Sequence, residues 1–350
     1  MSINKIIKIL TISNFLSSHG GSRSIMEDLV ERLTTNERLF ITTSTVKHRT
    51  LKGIDIVLSL LRNINTIDFA IIDVFSGKAF LWAEIPSIIL GLFKKKYVLV
   101  LRGGSLPVFQ KSNQNRIQRI FSKAEKIITP SEYIIETFSK YKIPIQYLPN
   151  PISIGNYIPK KISLPSPKII WVRAFHEEIY NPILAVKTIE KLRNVKEIKL
   201  LMIGPDKGDG SFQKVNQKII DYELEDIIQI IPGVSKQEIP NYLSKYDIFI
   251  NTTNVESFGQ SVLEAAACGL CIVTTNVGEL PYLWEHEVDA LLVPPGDAEA
   301  MAASIHRILD DPELAARLST NARKKAEQFD WSIILPQWEA LFEDVHQNNS

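Results

Sequence analysis

A chain of 350 residues, 45% of them hydrophobic, is long enough for about two domains with buried cores, since domains typically run ~100–200 residues. Two cysteines exclude a disulfide framework. The Cys268-Gly-Leu-Cys271 pair leaves a helix for a strand, whereas a redox pair opens a helix whose dipole acidifies the first thiol, so core packing is expected.

The net charge of +1 hides a division. Residues 1–160 carry 22 Lys/Arg against 11 Asp/Glu, and residues 161–350 carry 18 against 28, so the first half is suited to an anionic partner. No recognised nucleic-acid module accompanies that charge. An anionic membrane surface or a lipid-diphosphate acceptor suits it better; the alternative is an ordinary lysine-rich surface.

In chain order, Lys5-Ile-Ile-Lys-Ile-Leu10 reads as a first strand and not as a signal peptide. Strands are predicted over 6–12, 39–43, 69–73, 97–101, 126–129 and 146–148, with helices over 22–33, 78–93 and 113–123 between them. The apolar run around 85–93 contains Pro86 and is too short to span a bilayer. A cytoplasmic protein is expected, with peripheral contact at the inner face of the cell membrane as its extension. Strand–helix alternation of this kind implies a parallel, doubly wound sheet.

Two loops of this half carry chemistry. Ser17-Ser-His-Gly-Gly-Ser-Arg23 follows the first strand, and Gly20 and Gly21 let the backbone approach a ligand or simply form a turn. Arg102, beside Gly103 and Gly104 after the fourth strand, either holds an acceptor phosphate or lines the donor cleft; a guanidinium is no general base. Residues 113–126 read as a basic amphipathic helix. Ile117, Ile120, Phe121 and Ala124 lie on one side, with Arg116, Arg119, Lys123 and Lys126 around it, facing either anionic lipid or the core.

The break at Pro149-Asn-Pro151 closes a first domain over 1–152, and Pro159, Pro165 and Pro167 mark 153–167 as a linker. A second domain over 168–330 has predicted strands at 168–172, 198–203, 227–230, 247–250, 271–274 and 290–293. Its helices are predicted at 183–193, 235–243, 262–268, 298–310 and 312–328. Ile334, Leu335, Trp338, Leu341, Phe342 and Val345 give the final segment, 331–350, helical spacing.

The most informative stretch is Glu256-Ser-Phe-Gly-Gln-Ser-Val-Leu-Glu264. Two carboxylates eight residues apart flank a Phe-Gly turn between a buried strand and a small-residue helix. This is the carboxyl edge of a parallel sheet, where open α/β folds bind ligands. The amides of Ser257, Phe258, Gly259, Gln260 and Ser261 are placed to hold phosphate, and the acids to bind hydroxyls.

This motif resembles the E-x7-E signature of the family 4 retaining glycosyltransferases, and the resemblance continues in Gly278-Glu-Leu-Pro281 and Val288-Asp-Ala-Leu-Leu-Val-Pro-Pro-Gly296. It covers most of 168–345 and is weaker in the first half. It implies the GT-B fold: two Rossmann-like domains facing across a cleft, with the last helix crossing back to the first domain. It further implies a metal-independent hexosyltransferase with a UDP- or GDP-type sugar donor, no cofactor, and a glycan or lipid-linked acceptor of polysaccharide biosynthesis.

By that resemblance Glu264 binds ribose hydroxyls, Glu256 the transferred sugar, and Arg173 with the amides at 258–260 the diphosphate. Gly20 and Gly21 face the diphosphate from the other domain. Gly204, His176 and Asn181 are assigned to the donor side; for His176 a place in an ordinary loop is the alternative. Two departures stand out. The family's Lys after the arginine is replaced near Glu178, and its acceptor-side His near Arg102. They motivate a rival reading, a non-catalytic sugar-nucleotide-binding or partner subunit; a nucleotide-sugar epimerase is a third. The six histidines are scattered and no metal-binding spacing occurs, so no metal site is expected.

Overall fold

The apolar runs of the first half become β1 (Ile7–Ile12), β2 (Arg38–Thr43), β3 (Phe69–Val74), β4 (Lys96–Leu101), β5 (Lys126–Thr129) and β6 (Gln146–Tyr147). The computed structural model describes residues 6–15, 23–46 and 48–347. It divides into two units, Met1–Pro151 with Ser332–Ser350, and Ile152–Trp331.

In the first unit the strand order is β2-β1-β3-β4-β5-β6, with every pairing parallel. β3 is buried at all six positions, as a central parallel strand covered on both faces must be. The order reverses between β1 and β3, so the chain just past these strands lines a topological switch point. Ser24 and Glu27 form a capping box that fixes the start of the helix Ile25–Leu33. The final helix, Trp331–Gln347, contributes Phe342, whose ring centroid lies 5.9 Å from those of Phe40 and Phe69. Glu339 and Asp344 on it pair with Arg38 (3.8 Å) and Lys126 (2.6 Å).

The basic helix is shorter than expected, Gln114–Phe121, and its apolar residues Ile117, Ile120 and Phe121 are buried in the unit's core. Arg116 donates through Nε to both carboxylate oxygens of Glu84 (3.1 and 3.0 Å). Lys126 is the first residue of β5. The apolar side therefore faces protein and not lipid, because burial against the sheet removes more apolar surface from water than an interface would.

The second unit contains β7 (Lys168–Val172), β8 (Lys199–Ile203), β9 (Ile228–Ile231), β10 (Ile248–Asn251), β11 (Cys271–Thr275) and β12 (Leu291–Val293), in the order β12-β11-β10-β7-β8-β9, again all parallel. Here the reversal falls between β7 and β10. Residues 153–167, expected as a linker, are packed onto this unit. Tyr157 and Ile162 are buried, the Lys160 amide donates to the Cys268 carbonyl (3.2 Å), and the Lys160 ammonium pairs with Asp247. Cys268 and Cys271 are buried free thiols, and burial pushes each up to about 12, so both stay protonated core residues.

Candidate active site

Arg173 is the first residue beyond β7, at the switch point of the second unit. Its backbone N–H donates to Ile203 (3.0 Å), and its carbonyl lies so close to Gly204 that any Cβ there would overlap it. Gly204 therefore serves by letting the ends of β7 and β8 approach, which sets where Arg173 stands.

The following loop includes the short helix Glu177–Tyr180 and Asn181, which adopts a left-handed conformation (φ 43°). This loop is sewn to the chain after β10. The Asn254 amide donates to Ile179 (2.7 Å), and the hydroxyls of Thr252 and Thr253 donate to Tyr180 (2.7 Å) and Ile179 (2.8 Å). The Trp171 indole donates to Thr252 Oγ1 (2.9 Å). The arginine and the first glutamate of the motif are thus carried on two segments held together at many points.

Arg173 Nη2 donates to Glu256 Oε2 in an ion pair, and its Nε donates to Asn251 Oδ1 (3.2 Å). Asn251 Nδ2 in turn donates to Thr274 Oγ1 (2.9 Å), which aims the amide oxygen at the guanidinium. The guanidinium carbon lies 5.3 Å from the Tyr180 ring centroid, within cation–π range. Glu256 is 8% exposed, and its Oε1 accepts from the amides of Ser257 (3.0 Å) and Phe258 (3.3 Å). Its carbonyl accepts from the Glu279 amide (3.2 Å) and packs on Gly278, where a Cβ would overlap it.

Gly259, at φ 93°, caps the helix Gln260–Ala267, and Phe258 is buried beside it. Glu264, 7% exposed, lies within that buried helix. Neither acid of the motif is an ordinary solvated surface acid. The cluster presents a buried carboxylate and a guanidinium at one sheet edge, a pair able to bind hydroxyls and a polyanion together; the amides of Ser257 and Phe258, expected to hold phosphate, are taken up by the Glu256 carboxylate.

Two sequence-derived residues are drawn to other partners. His176 Nδ1 stands 3.7 Å from Asp209, and Asn181 Nδ2 donates to Asn254 Oδ1 (3.4 Å). Glu178 is exposed.

In the first unit, Arg102 is the first residue beyond β4 and reaches back to β3, one of the two strands at that unit's switch point. Its Nε donates to Asp73 Oδ1 (2.7 Å) and its Nη1 to Asn150 Oδ1 (2.6 Å), while Ser13 donates to the second oxygen of Asp73. Its Nη2 is buried without a hydrogen-bond partner among the described residues. Gly20 and Gly21 lie outside the described residues.

Sequence reasoning missed Asn251, Thr274 and Tyr180 in one cluster and Asp73 and Asn150 in the other. A signal existed for two of them: a lone polar residue near the carboxyl end of an apolar strand, as in Ile-Phe-Ile-Asn251 and Phe-Ala-Ile-Ile-Asp73. Among the described residues no group of three or more His, Cys, Asp or Glu is placed to hold a metal, and no helix is long and apolar enough to cross a membrane.

Comparison with known proteins adds three findings. The family model described as "Glycosyl transferases group 1" matches residues 158–325. The D-inositol 3-phosphate glycosyltransferase of Saccharomonospora viridis is 33% identical over 138 residues, which are 39% of this chain and 32% of that protein, so the match spans about a third of the relative's length. Two solved structures share the fold along nearly the whole chain. Sucrose-phosphate synthase from Thermosynechococcus elongatus has a TM-score of 0.81 at 17% identity, covering 98% of this chain and 100% of that one. Anabaena HepE in complex with UDP has a TM-score of 0.79 at 16% identity, covering 97% and 100%. With its two parallel six-stranded sheets and flanking helices, the chain has the GT-B fold expected of it.

Proposed function

We propose, from the premise that this chain belongs through residues 158–325 to the group 1 glycosyl transferases, that it transfers a sugar from a nucleoside-diphosphate sugar to a hydroxyl acceptor with retention at the anomeric carbon. The observation that carries this reading is the Arg173–Glu256 pair beside the amides of Ser257 and Phe258. A UDP-type donor is favoured because the HepE fold neighbour was solved with UDP. The basic first half supports a lipid-linked or polysaccharide-precursor acceptor presented at an anionic surface.

In this mechanism Glu264 accepts from ribose hydroxyls and Glu256 from hydroxyls of the transferred sugar. The bond between the anomeric carbon and the β-phosphate oxygen breaks, and the nucleoside diphosphate leaves with the bonding pair. Arg173 stabilises the charge that grows on it, without a metal, joined by the amides of Ser257 and Phe258 as the Glu256 carboxylate that now accepts from them turns to the sugar hydroxyls. The acceptor hydroxyl attacks from the face that the phosphate leaves, and its proton passes to the departing phosphate oxygen. Arg102, anchored by Asp73 and Asn150, is assigned to phosphate on the acceptor side through its remaining nitrogen.

The test is a thermal-shift panel of sugar nucleotides followed by transfer assays with NMR of the product anomer. A ligand at ~100 times its dissociation constant stabilises by about 2.7 kcal/mol. Absence of stabilisation by every sugar nucleotide would refute the reading. Binding without transfer would favour a partner subunit, and conversion of the sugar while still on its nucleotide would favour an epimerase.

A further inference from the structure

Two helices of the first unit, Arg49–Asn63 and Leu81–Leu92, pack side by side. The Trp82 indole lies 3.8 Å from where a Cβ of Gly53 would stand, and Lys52 Nζ is 4.9 Å from the Trp82 ring centroid. Their inner residues Ile56, Leu60, Ala83 and Leu90 belong to one core cluster, so both outer faces look the same way. An ordinary surface helix is polar on its outer face. Here the first helix exposes Leu51, Ile54, Leu58 and Leu61 at 55, 56, 44 and 45%. The second exposes Leu81, Ile85, Ile88 and Leu92 at 44, 43, 37 and 77%, and Phe93 continues the line at 50%. Both sets repeat at three- and four-residue intervals, so each forms one stripe. Two adjoining apolar stripes make a patch of the kind that marks an interaction site.

The surroundings are basic. Arg62 lies in the last turn of the first helix, Lys78 precedes the second, and Lys94 follows Phe93, all three exposed. Lys123, also exposed, runs alongside Gly91, its Cδ 3.6 Å from where a Cβ would stand. The two helices carry two acids: Glu84, which is buried and bound by Arg116, and the half-buried Asp55. An apolar face bordered by lysines suits the headgroup boundary of an anionic bilayer, with leucine and isoleucine entering the acyl region and the ammonium groups meeting lipid phosphate. We propose that this two-helix face docks the protein on an anionic lipid bilayer. The proposal deepens the lipid-linked acceptor reading and rests on it only for the source of the substrate.

Vesicle flotation tests it, with phosphatidylglycerol/phosphatidylcholine vesicles against phosphatidylcholine alone. The protein is expected to float with the mixed vesicles and far less with the neutral ones. Ile85→Glu with Ile88→Glu should lower the bound fraction about tenfold or more, and Lys94→Glu with Lys123→Glu should lower it most at low salt, where charge attraction is strongest. The UDP thermal shift should be unchanged in both variants, which shows that they are folded.

Failure of the wild-type protein to float at low salt, or equal flotation of the Ile85/Ile88 variant, would overturn the proposal. So would a dimer that this variant splits in a protein that does not float, which would assign the face to a second copy. Flotation without any sugar-nucleotide binding would instead remove the donor reading and leave the docking face standing.

Discussion

The guanidinium of Arg173 and the carboxylate of Glu256, 83 residues apart in sequence, form an ion pair in which both side chains are about one-tenth exposed. The pair joins the two central strands at the point where the sheet order reverses. Each partner also bonds the scaffold, Arg173 through Asn251 and Glu256 through two backbone amides. Such a pair is held in place before any ligand arrives, so little reorganisation is needed when charge develops.

Arg173→Ala should therefore do two things. Turnover should fall ~100-fold or more, the scale seen when one preorganised electrostatic group is removed. Stability should also fall, by ~3–5 kcal/mol, because a buried carboxylate loses its counter-ion. Arg173→Lys should recover part of the stability but less of the turnover, since an ammonium cannot reach Glu256 and Asn251 together. Initial rates and urea unfolding of the two variants check both effects; near-normal turnover in Arg173→Ala would place the leaving group elsewhere.

The two acids of the motif should separate by ligand. Glu264→Gln should weaken nucleoside-diphosphate binding, because a carboxylate accepting from ribose hydroxyls loses its charge-assisted bonds. Glu256→Ala should reduce turnover while leaving nucleoside-diphosphate affinity unchanged or higher, since it frees the amides of Ser257 and Phe258 that its carboxylate now occupies. Calorimetric titration with UDP beside transfer assays gives the comparison. Equal losses of UDP affinity in both variants would contradict the assigned roles.

Gly204→Ala should be among the costlier alanine substitutions in the chain, because the new methyl group would overlap the Arg173 carbonyl, which is backbone and cannot swing aside. Overpacking of this kind costs ~1–3 kcal/mol or more, and the displaced strand end should carry Arg173 with it, so turnover should drop beyond the stability loss. Gly155→Ala is the control: nothing lies within 4 Å of the added carbon, and it should stay within about 0.5 kcal/mol of wild type. Similar melting temperatures for the two variants would refute the account of Gly204.

Most strands were legible because buried parallel strands are short apolar runs bounded by turns. β5, β7 and the helix Ala298–Asp310 fall at their predicted limits. The helix Arg49–Asn63 was missed because its apolar residues occupy both faces: Ile56 and Leu60 inside, Leu51, Ile54, Leu58 and Leu61 outside. Its polar residues Lys52, Asp55, Ser59 and Arg62 are confined to one narrow flank, so the pattern does not divide into an apolar and a polar half. Arg173 and Glu256 were legible from their places just past apolar strands, and Glu264 from its place in the small-residue helix after the Phe-Gly turn. Their partners were not, since Asn251, Thr274 and Tyr180 acquire meaning only once β7, β10 and β11 lie side by side. For His176 the sequence left two places open, the donor site and an ordinary loop; its Nδ1 stands 3.7 Å from Asp209.

Acid should act on the second unit through Asp247. Burial alone would raise this carboxyl, but the hydrogen bonds from Lys160 and from the side chain and amide of Ser166 outweigh it and hold the group below its ordinary value. The folded protein therefore binds this proton less readily than the unfolded chain does. The resulting stabilisation is fully present above the unfolded value of about 3.9 and is lost as pH falls through the lower folded value. Asp247→Asn removes the ionised partner of Lys160, so it should destabilise the protein near neutral pH and matter progressively less in acid. Urea midpoints of the two proteins, compared between about pH 7 and about pH 3, should differ less at the acid end. A gap of constant size across that range would mean that Asp247 contributes through packing and not through its charge.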